Sequence, residues 1–168
     1  MSETVLDRRP AATPTAAPGA TEDPQNERQF LTLILAGQLC GIPVLAVRDV
    51  LGDQAIARIP LAPPDVAGSL NLRGRIVTAI DLRRRLRLPP APPETRRMSV
   101  VTEQGGELYA FLVDQVAEVM NLPASAFEHS PPTLPAEWAE HCQGVYRLEG
   151  RLLVVLDVAR LLAVAVPA

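Results

Sequence analysis

The sequence predicts a mostly β protein made of two small, similar β-barrels packed side by side. Three observations lead there. The first is an internal repeat. Residues 68–86 read GSLNLRGRIVTAIDLRRRL and residues 144–162 read GVYRLEGRLLVVLDVARLL, aligned without a gap at an offset of 76. Seven of the 19 pairs are identical: Gly68/Gly144, Leu72/Leu148, Gly74/Gly150, Arg75/Arg151, Asp81/Asp157, Arg84/Arg160 and Leu86/Leu162. A shorter echo precedes each block, Val47-Arg48-Asp49-Val50 and Val116-Ala117-Glu118-Val119. A unit used twice packs beside its twin. The second observation is punctuation. Short apolar runs are broken by Gly and Pro about every 8–12 residues, the spacing of small β-barrels. The third is that 48% of the 168 residues are hydrophobic, enough for a real core in about one domain.

Residues 1–28 are rich in Pro, Ala, Thr and Glu and nearly lack large apolar side chains. Such a segment cannot offset its ordering entropy and is expected to be disordered. Order is expected from Gln29. Gln29–Leu35 reads as a strand, Ala36-Gly37-Gln38 as a hairpin loop, and Leu39–Ile42 as the returning strand, stopped at Pro43. Val44–Leu51 fits a helical turn or a bent strand. Ala55–Ile59 reads as a strand ended by Pro60, and Asp65 as the cap of a helical turn through Gly68. Arg75–Asp81 is a continuous apolar strand, expected to be buried on both faces. Asp81 then caps a helix, Leu82–Leu88, that carries Arg83, Arg84 and Arg85. The prolines of 89–94 separate a first module, about 29–88, from a second, about 96–168. Met98–Thr102 and Glu107–Val113 form a hairpin around Gly105-Gly106, and Gln115–Met120 repeats the bent element. Leu122–Pro135 is irregular. Leu148–Leu156 is the second buried strand, and Asp157 caps a closing helix to Val164.

Chemistry is hard to find in this chain. His129 and His141 have no metal-ligand spacing. No nucleophile elbow, P-loop or dinucleotide fingerprint occurs. Cys40 and Cys142 are far apart and read as free packing thiols in a reducing compartment, one disulfide being the alternative. The net charge of −3 does not point to nucleic acid or an anionic membrane. The arginines at 83–87 read as an acidic-surface or nucleic-acid contact, or simply as the solvated face of a short helix. No signal peptide is evident, and the apolar runs are too short to span a bilayer. The expectation is a cytoplasmic protein with no catalytic residue, no metal and no cofactor.

Arg73 stands out. It lies in Asn71-Leu72-Arg73-Gly74, a turn in which Asn and Gly tolerate positive φ. The repeat places Glu149 there, so the charge is inverted. Shared architecture does not explain that inversion, whereas a role specific to the first module does.

With Gly41-Ile42-Pro43, Val47-x-Asp49-Val50, Ile59-Pro60, Gly68-x-x-Asn71-Leu72-Arg73-Gly74-x-Ile76-Val77-x-x-Ile80-Asp81-Leu82, Val113-Asp114-x-Val116-x-Glu118-Val119 and Leu153-Val154-Val155-Leu156-Asp157, the sequence resembles the CheW-like family of bacterial chemotaxis coupling proteins. The resemblance runs from about Gln29 to Val164. It implies two SH3-like five-stranded β-barrels around a shared hydrophobic seam. It implies a non-enzymatic adaptor that binds the cytoplasmic tip of a chemoreceptor and the regulatory domain of the histidine kinase CheA, and is recruited to membrane-bound receptor arrays. By the same resemblance Val47, Gly68 and Arg73 lie at or near the receptor-binding groove. Internally, Arg73 has Asp49 or Asp114 as possible partners. The family's usual Glu is Asp49 here, one methylene shorter. The other readings are a hub of a non-flagellar chemosensory pathway and a detached kinase-regulatory module.

Overall fold

A computed structural model describes residues 27–92, 95–129 and 134–165. Eleven strands and three short helices follow one another among them. The strands are β1 (Glu27–Leu35), β2 (Gln38–Pro43), β3 (Val47–Leu51), β4 (Val66–Leu72), β5 (Arg75–Asp81), β6 (Met98–Gln104), β7 (Glu107–Val113), β8 (Gln115–Pro123), β9 (Phe127–Glu128), β10 (Cys142–Leu148) and β11 (Arg151–Leu156). The helices are α1 (Leu82–Arg85), α2 (Ala136–Ala139) and α3 (Val158–Ala165). The strands form two sheets, of order β3-β6-β7-β5-β4 and β9-β10-β11-β2-β1-β8. The mostly β class and the two side-by-side β modules are as the sequence predicts.

The sheets do not follow the 29–88 and 96–168 division of the repeat. The β1–β2 hairpin belongs to the sheet built mainly from the second half of the chain. The β6–β7 hairpin belongs to the sheet built mainly from the first half. Each half donates a hairpin to the other. The cause lies in the connectors. A two-residue loop is the shortest common hairpin, but only Asp114 separates β7 from β8. One residue cannot turn the chain back, so β8 crosses to pair with β1. The matching step from β2 to β3 is a single 3-10 turn, Val44–Ala46, and β3 crosses to pair with β6.

The exchange keeps a pseudo-twofold register. Val47 faces Thr102 and Val116 faces Leu33, so both connectors shift by 69 residues. Thr78 runs beside Tyr109 and Val154 beside Cys40, in parallel pairs related by the same offsets. Even the β-bulges match, Val66/Gly68 in one hairpin and Cys142/Gly144 in the other.

The core has three parts. Leu70, Val77, Ala79 and Val101 fill the interior of the five-stranded barrel. Phe30, Tyr146, Leu153 and Val155 fill the other. Between them Leu33, Ile42, Ile80, Phe111, Val113, Val154 and Leu156 make a shared seam. Hence the inner parts of β5 and β11 are buried on both faces: Val77 and Ala79 serve one barrel and Ile80 the seam, while Leu153 and Val155 serve the other barrel and Val154 and Leu156 the seam. Ile76, at the start of β5, escapes both and is 68% exposed.

Several expectations change. Strand order begins at Glu27, because Glu27 and Arg28 pair with Pro123 and Leu122 of β8. The expected disorder of the rest of 1–28 lies outside the described residues. Ala55–Ile59 contributes only an Ala57–Ser69 bridge. No helical turn follows Asp65; residues 66–72 are a strand, because the outer edge of β5 pairs there. The first helix spans only Leu82–Arg85 and closes through Arg87 at φ +58°, with Leu88 N–H donating to the Arg83 carbonyl at 2.7 Å.

Candidate functional site

Arg73 occupies the two-residue turn between β4 and β5. Its φ is +51° and that of Gly74 is +86°. A non-glycine residue at positive φ needs local support. Here the Asn71 Oδ1 accepts the Gly74 N–H at 2.9 Å. The turn aims Arg73 at β3, where its Nη1 lies 3.1 Å from the Asp49 Oδ2. The other Asp49 oxygen accepts the Val50 N–H at 2.8 Å, which fixes the carboxylate. β3 and β4 are the two edge strands of the five-stranded sheet, so the pair ties its two edges together. The Arg73 side chain remains 78% exposed. An ion pair so open to water contributes little to stability, and the guanidinium keeps free donors for a second carboxylate.

Asp114 is not the partner of Arg73. It lies where β7 crosses into β8, next to the β1–β2 turn. Its oxygens accept from Arg83 Nε at 2.9 Å and Arg83 Nη2 at 2.6 Å, and from the Ala36 N–H at 2.8 Å. Burial works to raise the Asp114 carboxyl pKa, but the Arg83 and Ala36 hydrogen bonds outweigh it and hold it below its ordinary value. The hydrogen bond to Asp114 likewise raises Arg83. This clamp joins α1 of one barrel to the β1–β2 hairpin of the other.

Neither Arg83 nor Arg85 belongs to a solvated face. Arg85 is buried and donates to the carbonyls of Leu161 and Arg160 at 2.9 and 3.2 Å. Arg85 and Leu161 are equivalent in the repeat, so they meet at its pseudo-twofold axis. A signal was present in the sequence: Arg84 recurs as Arg160, whereas Arg83 and Arg85 face Ala159 and Leu161. An arginine absent from the twin has a task outside the shared fold.

Val47 begins β3 opposite Thr102 and packs half-buried against the shared seam. Gly68 is buried in a bulge of β4 with φ +151°. A Cβ there would strike the Ala57 carbonyl and the Ile56 side chain. Gly144 stands in the same way against the Glu128 carbonyl and Phe127. The shared approach of backbone to backbone explains why both repeats keep the glycine. The structure brings Arg73 and Asp49 together, with Val47 two residues along β3. Gly68 lies five residues from Arg73 along the hairpin.

Asp81 caps α1 by accepting the Arg83 N–H at 3.0 Å, and Asp157 accepts the Arg160 N–H at 3.1 Å at the start of α3. Both cysteines are free and buried, and burial pushes both thiols up. Among the described residues, no group of three His, Cys, Asp or Glu side chains gathers as a metal would need, and no helix is long and apolar enough to cross a membrane.

A family model described as a CheW-like domain matches residues 29–166. The chain belongs to the CheW-like family. The chemotaxis protein CheW of Klebsiella aerogenes is 29% identical over 136 residues, covering 81% of this chain and 82% of that protein. The chemotaxis protein CheW of Treponema pallidum is 29% identical over 142 residues, covering 81% and 84%. Protein PilI of Pseudomonas aeruginosa is 27% identical over 120 residues, covering 71% and 67%. The crystal structure of the scaffolding protein TtCheW from Thermoanaerobacter tengcongensis superposes with a TM-score of 0.70 at 25% identity, covering 77% of this chain and 88% of that one. The likeness in fold and the family membership agree with two SH3-like β-barrels.

Proposed function

We propose that this CheW-like chain is a non-enzymatic adaptor that couples chemoreceptors to a CheA-type histidine kinase. The observation that carries the reading is Arg73. Its turn gives it a left-handed backbone, its tie to Asp49 aims it, and its guanidinium stays open to water. A receptor tip is a helical bundle, and a helix is held by an apolar groove with a few oriented polar groups. Val47, at the margin of the seam, supplies apolar surface. Arg73 supplies the charge, offering the donors that Asp49 leaves free to a carboxylate or carbonyl on the receptor. Gly68 supports the site from behind by letting residues 56–57 close on β4. The likeness to chemotaxis proteins CheW and to the scaffolding protein TtCheW supports an adaptor in chemotaxis. The protein then acts in the cytoplasm, at membrane-bound receptor arrays. Each contact is modest, and array behaviour comes from multivalency.

The PilI relative supports a second reading, a scaffold hub of a non-flagellar chemosensory pathway. One calorimetric experiment tests both. The purified chain is titrated with the regulatory domain of each CheA-type kinase of its own organism. Micromolar binding to the swimming kinase is the expected result. Binding only to a kinase of another pathway selects the hub. Binding to none overturns the adaptor.

A further inference from the structure

Two exposed aliphatic side chains, Ile59 and Leu61, project from the loop that leads into β4. The loop is built to hold them there. Ala62 N–H donates to the Ile59 carbonyl at 3.3 Å, which closes a turn with Pro60 second and Leu61 third. Leu61 has φ +63°. The third place of such a turn calls for Gly or Asn. The other non-glycine residues at positive φ have local reasons: Ala36 and Arg73 open two-residue hairpin turns, and Arg87 ends a helix. Leu61 is wholly exposed, so no packing among the described residues offsets its strain. A second turn, Val66 N–H to the Pro63 carbonyl at 3.0 Å, and two 2.8 Å hydrogen bonds between Ala57 and Ser69 anchor the segment. A rigid apolar tip loses little entropy on docking.

The charge around the tip has one sign to offer. The groove beside it is lined by Ile59, Leu61 and Val66, with exposed Arg58 and Arg84 and with Asp81 beneath. Asp81 is already engaged by the α1 N–H groups and by Arg97 at 3.1 Å, and Arg84 stays 3.9 Å from it. Two guanidiniums beside an apolar tip suit carboxylates flanked by aliphatic side chains. Phosphate would have no use for Leu61. This groove lies at the Val66 end of β4, and Arg73 at the other, so at about 3.4 Å per residue the two surfaces are about 20 Å apart.

We propose that the Arg58–Leu61 loop is a second docking surface, and that its partner is an acidic protein segment carrying aliphatic anchors. The test is photocross-linking in the native host, with benzoylphenylalanine replacing Leu61 in the full chain and the adduct read by mass spectrometry. The expected adduct lies in a protein segment rich in Asp, Glu and aliphatic residues. Its yield falls at least about fivefold with Arg58→Glu and Arg84→Glu together, and is unchanged by Arg73→Glu. An adduct with nucleic acid or with a second copy of this chain overturns the proposal. So does indifference to the charge reversals, or a yield no higher than from the same probe at Gln54. A second variant checks the premise: Leu61→Gly should melt at the same temperature or higher, and a lower melting temperature would show that the fold itself needs the leucine.

Discussion

The β4–β5 and β10–β11 hairpins are one structure used twice, and they differ at their tips. Both carry a bulge at the same place, a glycine pressed against a neighbouring carbonyl, and an aspartate that caps the next helix. The tips part company. In the first, Arg73 and Gly74 are both left-handed, braced by Asn71, and Arg73 reaches Asp49. In the second, Gly150 is left-handed at +83° beside Glu149, and the place of Asn71 is taken by Arg147, which turns to Glu128 at 2.8 Å. Asp49 is matched there by Glu118, so an opposite-charge pair has become two acids. What the repeats share builds the barrel. What they do not share has separate tasks: Arg83 and Arg85 tie the two halves together, and Arg73 keeps an exposed guanidinium at its tip.

The largest effects should fall on the shared parts, and should be equal in the two halves. Ile80 and Leu156 are equivalent and buried in the seam. Ile80→Asp and Leu156→Asp each leave an unpaired buried carboxylate, at a cost of more than about 4 kcal/mol. Because each barrel contains a hairpin from the other half, either change should unfold both barrels in one transition, read by calorimetry. Two separated transitions would break the picture of exchanged hairpins.

The glycines sharpen the comparison. Gly68→Ala and Gly144→Ala should each destabilise by about 2–4 kcal/mol, because a Cβ meets a backbone carbonyl that cannot easily move. Similar losses in denaturant midpoint are expected. A stable Gly68→Ala that loses only partner binding would move Gly68 from the supporting fold to the contact itself.

Arg83 exists in one repeat only and should be intermediate. Its side chain is 13% exposed and that of Asp114 18%, so Arg83→Ala strands a half-buried carboxylate at a cost of about 2–3 kcal/mol. The effect has a pH signature. Asp114 is held below its ordinary value in the fold. Its contribution is therefore complete above the unfolded value of about 4 and is lost as pH falls through the lower folded value. The gap in melting temperature between the native chain and Arg83→Ala should be constant near neutrality and shrink toward pH 2. A gap independent of pH would assign the loss to packing of the arginine stem instead.

Much of this was legible in the sequence, for physical reasons. Ala36-Gly37 and Gly105-Gly106 had to be hairpin turns, β5 had to be buried on two faces, and Asp81 had to be a cap. The exchange of hairpins was not legible. A repeat gives the order of units along the chain, whereas sheet pairing is decided by connectors as short as Asp114. The choice between Asp49 and Asp114 for Arg73 depended on the same crossing. Arg83 and Arg85 read as a solvated face because a helix of four residues has no fixed outside. It packs against α3 and the β7–β8 junction at once, which turns two of its three charges inward.

The smallest effect on stability belongs to the residue with the largest proposed role. Arg73→Glu breaks an exposed pair worth at most about 1 kcal/mol and sets two acids face to face. The melting temperature should shift by only a few degrees. Affinity for the cytoplasmic tip of a cognate receptor, measured by calorimetry, should fall at least about tenfold if the guanidinium is the contact. Glu149→Arg gives the contrast: it restores at the second tip the charge of the first, and should leave receptor affinity unchanged. If Arg73→Glu costs as much stability as binding, the Asp49 pair only stiffens the barrel edge. If Glu149→Arg weakens receptor binding equally, the two tips are not distinguished by their charge, and the functional difference between the repeats must be sought at Val47 and the seam.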